Sequence, residues 1–317
     1  MYNTLDAKKV GLISLLMLGA ALLWYSSKST GVTKVREKAF VVETEPLELP
    51  GHTHIPGVDT EYEHSLFSYS AFVATDDLWI EEFESEVVNA PDAILHHGEI
   101  RYADRPDQDC PYSPDGTFHT QEPIWFTPNF NLIKQFIYPK PYGVYIEKGT
   151  RLFLAGMFHN PDPSQNYSDV FLRLTVRGKK GVRPDAEHRS VRYFRVVSEK
   201  CIRGDTFTVP SHTRDFIHKR QKGPFLMPES GTIVLLYPHF HFWDGGKFMA
   251  VSLNDEPLWK FYPPKEGSIF FIPDPENPPS LKVKKDDALD FYAVYDNLKN
   301  IPNPDVMATV IFLLAPD

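Results

Sequence analysis

Two histidines stand two residues apart in the segment LYPHFHFWDGGKF, residues 236–248, after an apolar run. Successive side chains of a β-strand point to opposite faces, so His239 and His241 would share one face while Phe240 points to the other. Two neighbouring imidazoles are a common part of metal sites, and imidazole suits zinc, copper, iron and nickel. This motif alone leaves the alternative open that both are packing or surface histidines.

Three further histidines interrupt strand-like apolar runs. His96 and His97 are adjacent in AILHHGEI, and His159 ends RLFLAGMFHNP. A polar side chain in a core-like pattern is costly unless it has a partner. Adjacent residues of a regular strand face opposite ways, so a shared role for the pair needs a bulge or a strand end, which Gly98 permits. His159 would then complete a set of three imidazoles.

A methionine offers a third ligand for the pair that includes His239. Met307 stands early in the apolar segment PDVMATVIFLLA. Its thioether is a soft donor that suits Cu(I), although a packing methionine is the default interpretation. The remaining histidines have polar, charged or turn-forming neighbours, and we interpret them as solvated: His52, His54, His64, His119, His188, His212 and His218.

Short strands must position these residues. The chain has 42% apolar and 14% aromatic residues and 28 prolines, which favours short strands over long helices. Apolar runs such as SLFSYSAFV, DVFLRLTVRG and GTIVLLYPHFHF alternate with turn residues. This pattern predicts an all-β fold of two tandem jelly-roll-like β-sandwich domains, at residues 61–200 and 201–317.

A different pattern precedes the predicted sandwiches. Residues 10–25, VGLISLLMLGAALLWY, are apolar and follow Lys8 and Lys9. A spanning helix needs about 17–25 residues, and no clear cleavage site follows, so residues 1–30 are predicted as an uncleaved signal-anchor rather than a cleaved signal. Residues 31–60 are predicted as a polar tether. An uncleaved anchor and a cleaved signal both predict that the residues after this segment lie outside the cytosol, in the periplasm, a lumen or the extracellular space.

The net charge bears on the possible binding partners, and the cysteine content bears on a possible disulfide. The net charge of −9, with no basic stripe, argues against nucleic-acid binding. The two cysteines, Cys110 and Cys201, could form one disulfide in an exported protein or remain free thiols.

The ligand candidates, taken together, resemble the copper type II, ascorbate-dependent monooxygenases, which include peptidylglycine α-hydroxylating monooxygenase and dopamine β-monooxygenase. The likeness covers about residues 60–317 and includes the segment YPKPYGVYIEKGTRLFLAGMFHN. It rests on the order His-His, His, His-x-His, Met at intervals close to those of the family. The candidate ligands are His96, His97, His159, His239, His241 and Met307.

The resemblance implies two jelly-roll domains with one copper each, facing across a solvent-filled cleft. It assigns the electron-entry copper to His96, His97 and His159. It assigns the oxygen-binding copper to His239, His241 and Met307. Ascorbate or another one-electron donor would reduce both, and a substrate C–H bond would be hydroxylated with O₂.

The substrate is unknown. The peptide-amidating branch has an arginine and a tyrosine that hold the peptide carboxylate, and here these positions are Tyr237 and Ile311. A peptidyl-glycine substrate is therefore doubtful. Tyr237, Ile311 and Trp243 are candidates for lining a substrate pocket, with core packing as the alternative.

Two other functions remain open. A non-catalytic relative could keep copper for storage, delivery or a structural role in a membrane assembly. A double-cupin-like iron or manganese enzyme could use His239 and His241 with a carboxylate, for which Asp244 is the only nearby acid after the pair.

Overall fold

In the part of the chain that the structure describes, the regular elements are β-strands, apart from one turn of 3-10 helix at Asp92–Ile94. The computed structural model describes residues 38–52, 65–110, 121–128, 135–199, 206–240, 245–262 and 281–317. The predicted all-β class is confirmed over these residues. Within them, no helix reaches the length and apolar character that crossing a membrane requires. The predicted signal-anchor lies outside this part of the chain.

Residues 38–190 contribute the strands of two sheets. Their strands are β1 (Lys38–Glu43), β2 (Leu47–Leu49), β3 (Leu66–Val73), β4 (Leu78–Val88), β5 (Leu95–Pro106), β6 (Gln121–Pro128), β7 (Gln135–Ile137), β8 (Tyr142–Ile146), β9 (Arg151–Phe158), β10 (Tyr167–Lys180) and β11 (Arg189–Ser190). One sheet has the order β1-β10-β4-β8-β11, with β2 beside β10 and β7 beside β4. The other has the order β3-β9-β5-β6. We call this pair of sheets the N-terminal sandwich.

Residues 192–316 contribute the strands of two more sheets, the C-terminal sandwich. Their strands are β12 (Arg192–Val197), β13 (Thr206–Val209), β14 (Thr213–Lys219), β15 (Phe225–Leu226), β16 (Gly231–Phe240), β17 (Gly246–Leu253), β18 (Glu256–Phe261), β19 (Leu281–Val283), β20 (Ala288–Asn297) and β21 (Asn303–Pro316). One sheet has the order β12-β21-β16-β19, with β13 beside β21. The other has the order β14-β20-β17-β18, with β15 beside β20.

Apolar residues at alternate positions along the strands form two apolar cores. In β10, Leu172 and Leu174 are fully buried and pack with Leu152 and Leu154 of β9 inside the N-terminal sandwich. In the C-terminal core, the ring of Phe312 stacks on that of Phe194 with centres 4.9 Å apart.

The sheet that contains β16 and β21 contributes buried residues to both cores. Leu236 and Phe312 pack into the C-terminal core, whereas Tyr237 and Ile311 pack into the N-terminal core. The pairing register of β16 shifts between Ile233 and Leu235, which sets which residues face each side. The outer face of this sheet is therefore buried against the N-terminal sandwich.

Polar contacts also join the two sandwiches. Asp109, after β5, is nearly inaccessible and forms an ion pair with Arg220, which follows β14. A side-chain oxygen of Asp109 accepts a hydrogen bond from the Val197 backbone N–H at 2.8 Å, and Lys222 Nζ lies 2.8 Å from the carboxylate. The neighbouring Cys110 is disulfide-bonded. Cys201, the other cysteine of the chain, lies outside the described residues.

Two boundaries differ from those expected from the sequence. Residues 38–43 and 47–49 fall in the predicted tether but form β1 and β2, which pair with β10, because Phe40, Val42 and Leu49 supply an alternating apolar face. Residues 192–197 fall in the predicted N-terminal domain but form β12, which pairs with β21 in the C-terminal sandwich.

Candidate metal-binding histidine cluster

The adjacent histidines of β5 occupy an irregularity in the strand ladder. Leu95 pairs with Phe158 and His97 pairs with Met157, so His96 is the extra residue of a bulge. Such a bulge places two residues of one strand opposite one residue of the next. The two imidazole rings lie 4.2 Å apart between centres at 76°. The bulge required for both rings to lie together is therefore present.

His159 lies at the same end of the sheet. It directly follows β9, and its backbone N–H donates to the carbonyl of Ile94 at 2.8 Å. This contact extends the β5–β9 pairing beyond Leu95 and Phe158. His159 is 8% exposed and His96 is 6% exposed, so both are nearly sealed from solvent.

His239 reaches the same place from the C-terminal sandwich. It stands two residues after Tyr237 on β16 and therefore shares the face directed at the N-terminal sandwich. It pairs with Thr309 of β21 and is 2% exposed. Its ring meets that of His97 edge-on, with centres 5.3 Å apart. We call His96, His97, His159 and His239 the histidine cluster.

This spacing differs from the arrangement that the family resemblance implies. The resemblance places the His97 set and the His239 set on opposite sides of a solvent-filled cleft. Here a ring of one set touches a ring of the other, because the outer face of the β16–β21 sheet packs directly on the N-terminal sandwich.

The ring spacing is compatible with a shared ion. With metal–nitrogen bonds of about 2.0 Å, two imidazoles on one tetrahedral ion have ring centres roughly 5 Å apart. The distance between His97 and His239 is 5.3 Å. Across the described ranges, no three or more His, Cys, Asp or Glu side chains are arranged so that they could hold an ion. The pair thus fits by donor type and spacing, while a third donor of these types is not in place among the residues described.

Met307 lies on the same face of the neighbouring strand. Its backbone carbonyl accepts a hydrogen bond from the Tyr295 hydroxyl at 2.7 Å. The next residue on that face of β21 is Thr309, the partner of His239. Met307 is partly exposed. The remaining ligand candidate, His241, lies outside the described residues.

Two of the three candidates for a substrate pocket are interior residues. Tyr237 and Ile311 face each other across the β16–β21 pair and are buried in the N-terminal core. The Tyr237 hydroxyl lies 2.9 Å from that of Tyr193, and burial raises the pKa of Tyr237 well above its usual range. Their position matches core packing. Trp243 lies outside the described residues.

One histidine was misinterpreted from its neighbours in the sequence. His218 was expected to be solvated, but it is 7% exposed and stacks on Phe207 with ring centres 3.5 Å apart. Its Nε2 lies 2.8 Å from a carboxylate oxygen of Glu199. Phe216 and His218 share one face of β14, so the spacing Phe-x-His was the signal of burial.

Two neighbours of the cluster were not identified from the sequence. Thr309 is 1% exposed and pairs with His239 across the ladder. Met157 is 7% exposed and pairs with His97. Met157 and His159 form a Met-x-His spacing at a strand end, which could have been found by the alternation that singled out His239 and His241.

Comparisons with known proteins give no family. No family model matches the chain, and no curated protein matches it. Among solved structures, PNGF-II is 9% identical with a TM-score of 0.35 over 87% of this chain and 65% of its own. A peptide-N(4)-(N-acetyl-β-D-glucosaminyl)asparagine amidase is 10% identical, with a TM-score of 0.36 over 88% of this chain and 97% of its own.

A third solved structure is that of a triple jelly roll from an archaeal virus. It is 10% identical, with a TM-score of 0.21 over 89% of this chain and 59% of its own. The chain thus spans somewhat less than two thirds of the length of PNGF-II and of the viral protein.

Proposed function

We propose that this protein is a copper-dependent monooxygenase that hydroxylates a substrate C–H bond with O₂ and a one-electron donor such as ascorbate. The observation that carries the proposal is the meeting of His97 and His239. It brings the first and third elements of the ordered ligand pattern together in space, although the residues come from different sandwiches. His96 and His159 lie at the same sheet end.

The donor set fits copper by its chemistry. Imidazole binds both oxidation states, and a thioether shifts preference towards Cu(I). The resemblance would assign one copper to His96, His97 and His159 and the other to His239, His241 and Met307. The contact between His97 and His239 would then make the two sites direct neighbours rather than sites across a cleft. When bound, copper would supply the electron transfer and oxygen chemistry of the reaction. The low exposure of His96, His159 and His239 supports donor positions that are fixed before a metal arrives.

The proposed location is outside the cytosol, on an N-terminal membrane anchor. The apolar segment at residues 10–25 supports the anchor. The disulfide at Cys110 supports an oxidising compartment.

A non-catalytic copper-binding protein is the second candidate. The observation in its favour is the low exposure of His96, His159 and His239, at 6%, 8% and 2%. A buried cluster with touching rings suits a storage or structural site better than one that must admit a substrate. The monooxygenase and the non-catalytic copper protein would use the same ligands, and only the monooxygenase would consume O₂.

Copper content and oxygen consumption of the full chain test both candidates. Wild-type protein loaded with Cu(I) and dialysed is expected to retain two coppers and to consume O₂ with ascorbate. His97→Ala and His239→Ala should each lose copper, whereas the control His212→Ala in an exposed turn should not. Retained copper without oxygen consumption supports the non-catalytic candidate. Iron or manganese in place of copper supports the cupin-like alternative, and absence of metal rejects all three.

A further inference from the structure

The sheet of strands β14, β20, β17 and β18 has a second face, opposite the C-terminal core. Side chains alternate along each strand, so Phe291 and Met249 point into the core while their neighbours Tyr292 and Phe248 point outward. Tyr262, directly after β18, lies on the same outer face, with its ring centre 5.7 Å from that of Phe248. Tyr292 and Tyr262 are both exposed, Tyr262 by 59%. Aromatic rings are therefore presented to solvent on this side of the sheet.

The pairing register arranges the outer side chains in two adjacent rows across the four strands. In the first row each strand contributes one residue: Lys219, Tyr292, Ala250 and Lys260. The second row lies beside it and consists of Ile217, Val294, Phe248 and Tyr262. We call these two rows the aromatic face. Neighbouring strands are about 4.8 Å apart, so the two lysines stand about 14 Å apart at opposite ends of their row.

The two lysines of the aromatic face are exposed and carry charges that no acid neutralises. Lys260 Nζ lies 3.7 Å from the ring centre of Phe248 and 5.3 Å from that of Tyr262, so this cation lies among the rings. Among the residues of the described segments, no carboxylate pairs with Lys219 or Lys260. The chain as a whole has a net charge of −9, so these lysines are a local exception. A ligand whose charge complements the face is therefore an anion.

Carboxylates border the aromatic face on both sides along the strands. On the outer side of β20, Asp290 lies beyond the first row and Asp296 lies beyond the second. A bilayer or another broad surface would have to cover these carboxylates as well and remove water from them, which is costly. A narrow chain that lies along the two rows, across the strands, avoids this cost. The borders therefore favour a narrow, extended ligand.

We propose that the aromatic face binds an anionic polysaccharide, a chain of sugar rings that carries carboxylate or sulfate groups. The negative face of an aromatic ring attracts the partly positive C–H groups of a sugar ring, and the tyrosine hydroxyls form hydrogen bonds with sugar hydroxyls. Lys219 and Lys260 pair with acid groups at two points of the same chain, which one small anion cannot reach together. The C-terminal core separates this face from the histidine cluster, so the binding is independent of the proposed copper function.

Retention of the full chain by immobilised polysaccharides, in a non-ionic detergent, tests the proposal. Polygalacturonate and dextran sulfate should retain the wild-type chain, whereas neutral dextran should not. Tyr262→Ala should weaken the binding about tenfold, because it removes a ring on which a sugar stacks. Lys260→Gln should weaken it at low ionic strength, and its difference from the wild type should shrink as salt screens the charge.

Tyr69→Ala and Lys282→Gln are matched controls on other sheets. Tyr69 is 50% exposed on β3, and the Lys282 side chain is 72% exposed on β19. Both control variants should bind the two anionic polysaccharides as the wild type does. Urea titration of all four variants verifies that each one still folds.

Three results would overturn the proposal. The first is no retention by either anionic polysaccharide, or equal losses in the face variants and the controls. The second is equal retention by immobilised poly-L-glutamate, which would show that charge alone is recognised. The third is a membrane in place of the polysaccharide: no polysaccharide binding, but weaker binding of Tyr262→Ala than of the wild type to phosphatidylglycerol vesicles.

Discussion

His97 and His239 belong to strands that are far apart in the sequence, but their rings meet with centres 5.3 Å apart. Alternation within each strand predicted which face each histidine occupies. The sequence could not predict that the two faces touch, because this depends on how the β16–β21 sheet packs on the N-terminal sandwich. Tyr237 was a pocket candidate because it stands where the peptide-amidating branch has an arginine, but its hydroxyl lies 2.9 Å from that of Tyr193 in the core.

The contact between these two rings predicts coupled effects on copper binding. His97→Ala and His239→Ala should each weaken Cu(I) binding, and the double variant should lose less than the sum of the two. Residues in contact show coupling energies of about 0.5–3 kcal/mol. Chelator competition on the four proteins of this cycle measures the coupling. Strictly additive losses would mean that the two imidazoles serve separate ions without influence on each other.

Burial of His218 predicts a pH-dependent stability. Burial lowers its pKa from 6.5 to about 4. Between these values the unfolded imidazole carries a proton that the folded one lacks, so this contribution to the free energy of unfolding is complete above about pH 6.5 and is lost as the pH falls towards about 4. Urea titrations across this range should give a shallower pH slope for His218→Gln. Equal slopes in the two proteins would contradict the assignment.

Bulges decide the geometry of the site at the scale of single elements. The apolar runs predicted the positions of β3, β9 and β10 well, because alternation and turn residues are local signals. The shifts between Leu95 and His97 and between Ile233 and Leu235 set which side chains face the junction. Only the first was indicated by the sequence, through the adjacent histidines and Gly98. The second has no comparable signal among its apolar residues.

The segment after β5 is held to the C-terminal sandwich by a buried charge pair. The side chains of Asp109 and Arg220 are 4% and 3% exposed. Asp109→Ala should lower the free energy of unfolding by about 3–5 kcal/mol, because it leaves the guanidinium buried without its carboxylate. Urea titration measures the loss.

A matched carboxylate on the surface provides the control. Asp76 pairs with Lys180 at 3.2 Å, with side chains 45% and 57% exposed. Asp76→Ala should change the free energy of unfolding far less than Asp109→Ala does, because solvent screens an exposed ion pair. If Asp109→Ala were equally mild, the buried pair would not be what secures this segment.

At the scale of the whole molecule, the two sandwiches share residues of one sheet. Residues 37–317 form a single compact unit, and both faces of the β16–β21 pair are buried. Composition and turn signals predicted two sandwiches. They could not predict this shared sheet, because long-range packing leaves no local pattern.

The shared sheet predicts a single cooperative unfolding transition. Loss of the C-terminal sandwich would remove Val234, Leu235 and Leu313 from the N-terminal core and expose the rest of that core to water, so neither half should remain folded alone. Calorimetry of the full chain should show one peak whose calorimetric enthalpy equals the van't Hoff enthalpy. Two separable peaks would show that the sandwiches unfold independently.

Strand β21 also sets the order in which the molecule can be completed. It follows all other described strands in the chain, yet it lies between β12 and β16 and contributes Ile311 and Leu313 to the N-terminal core. During synthesis, both sandwiches must wait for this strand to emerge from the ribosome. Completion of both cores by the last described strand would suit the extracytoplasmic location proposed above, because a chain that crosses a membrane through a translocation channel does so before it folds.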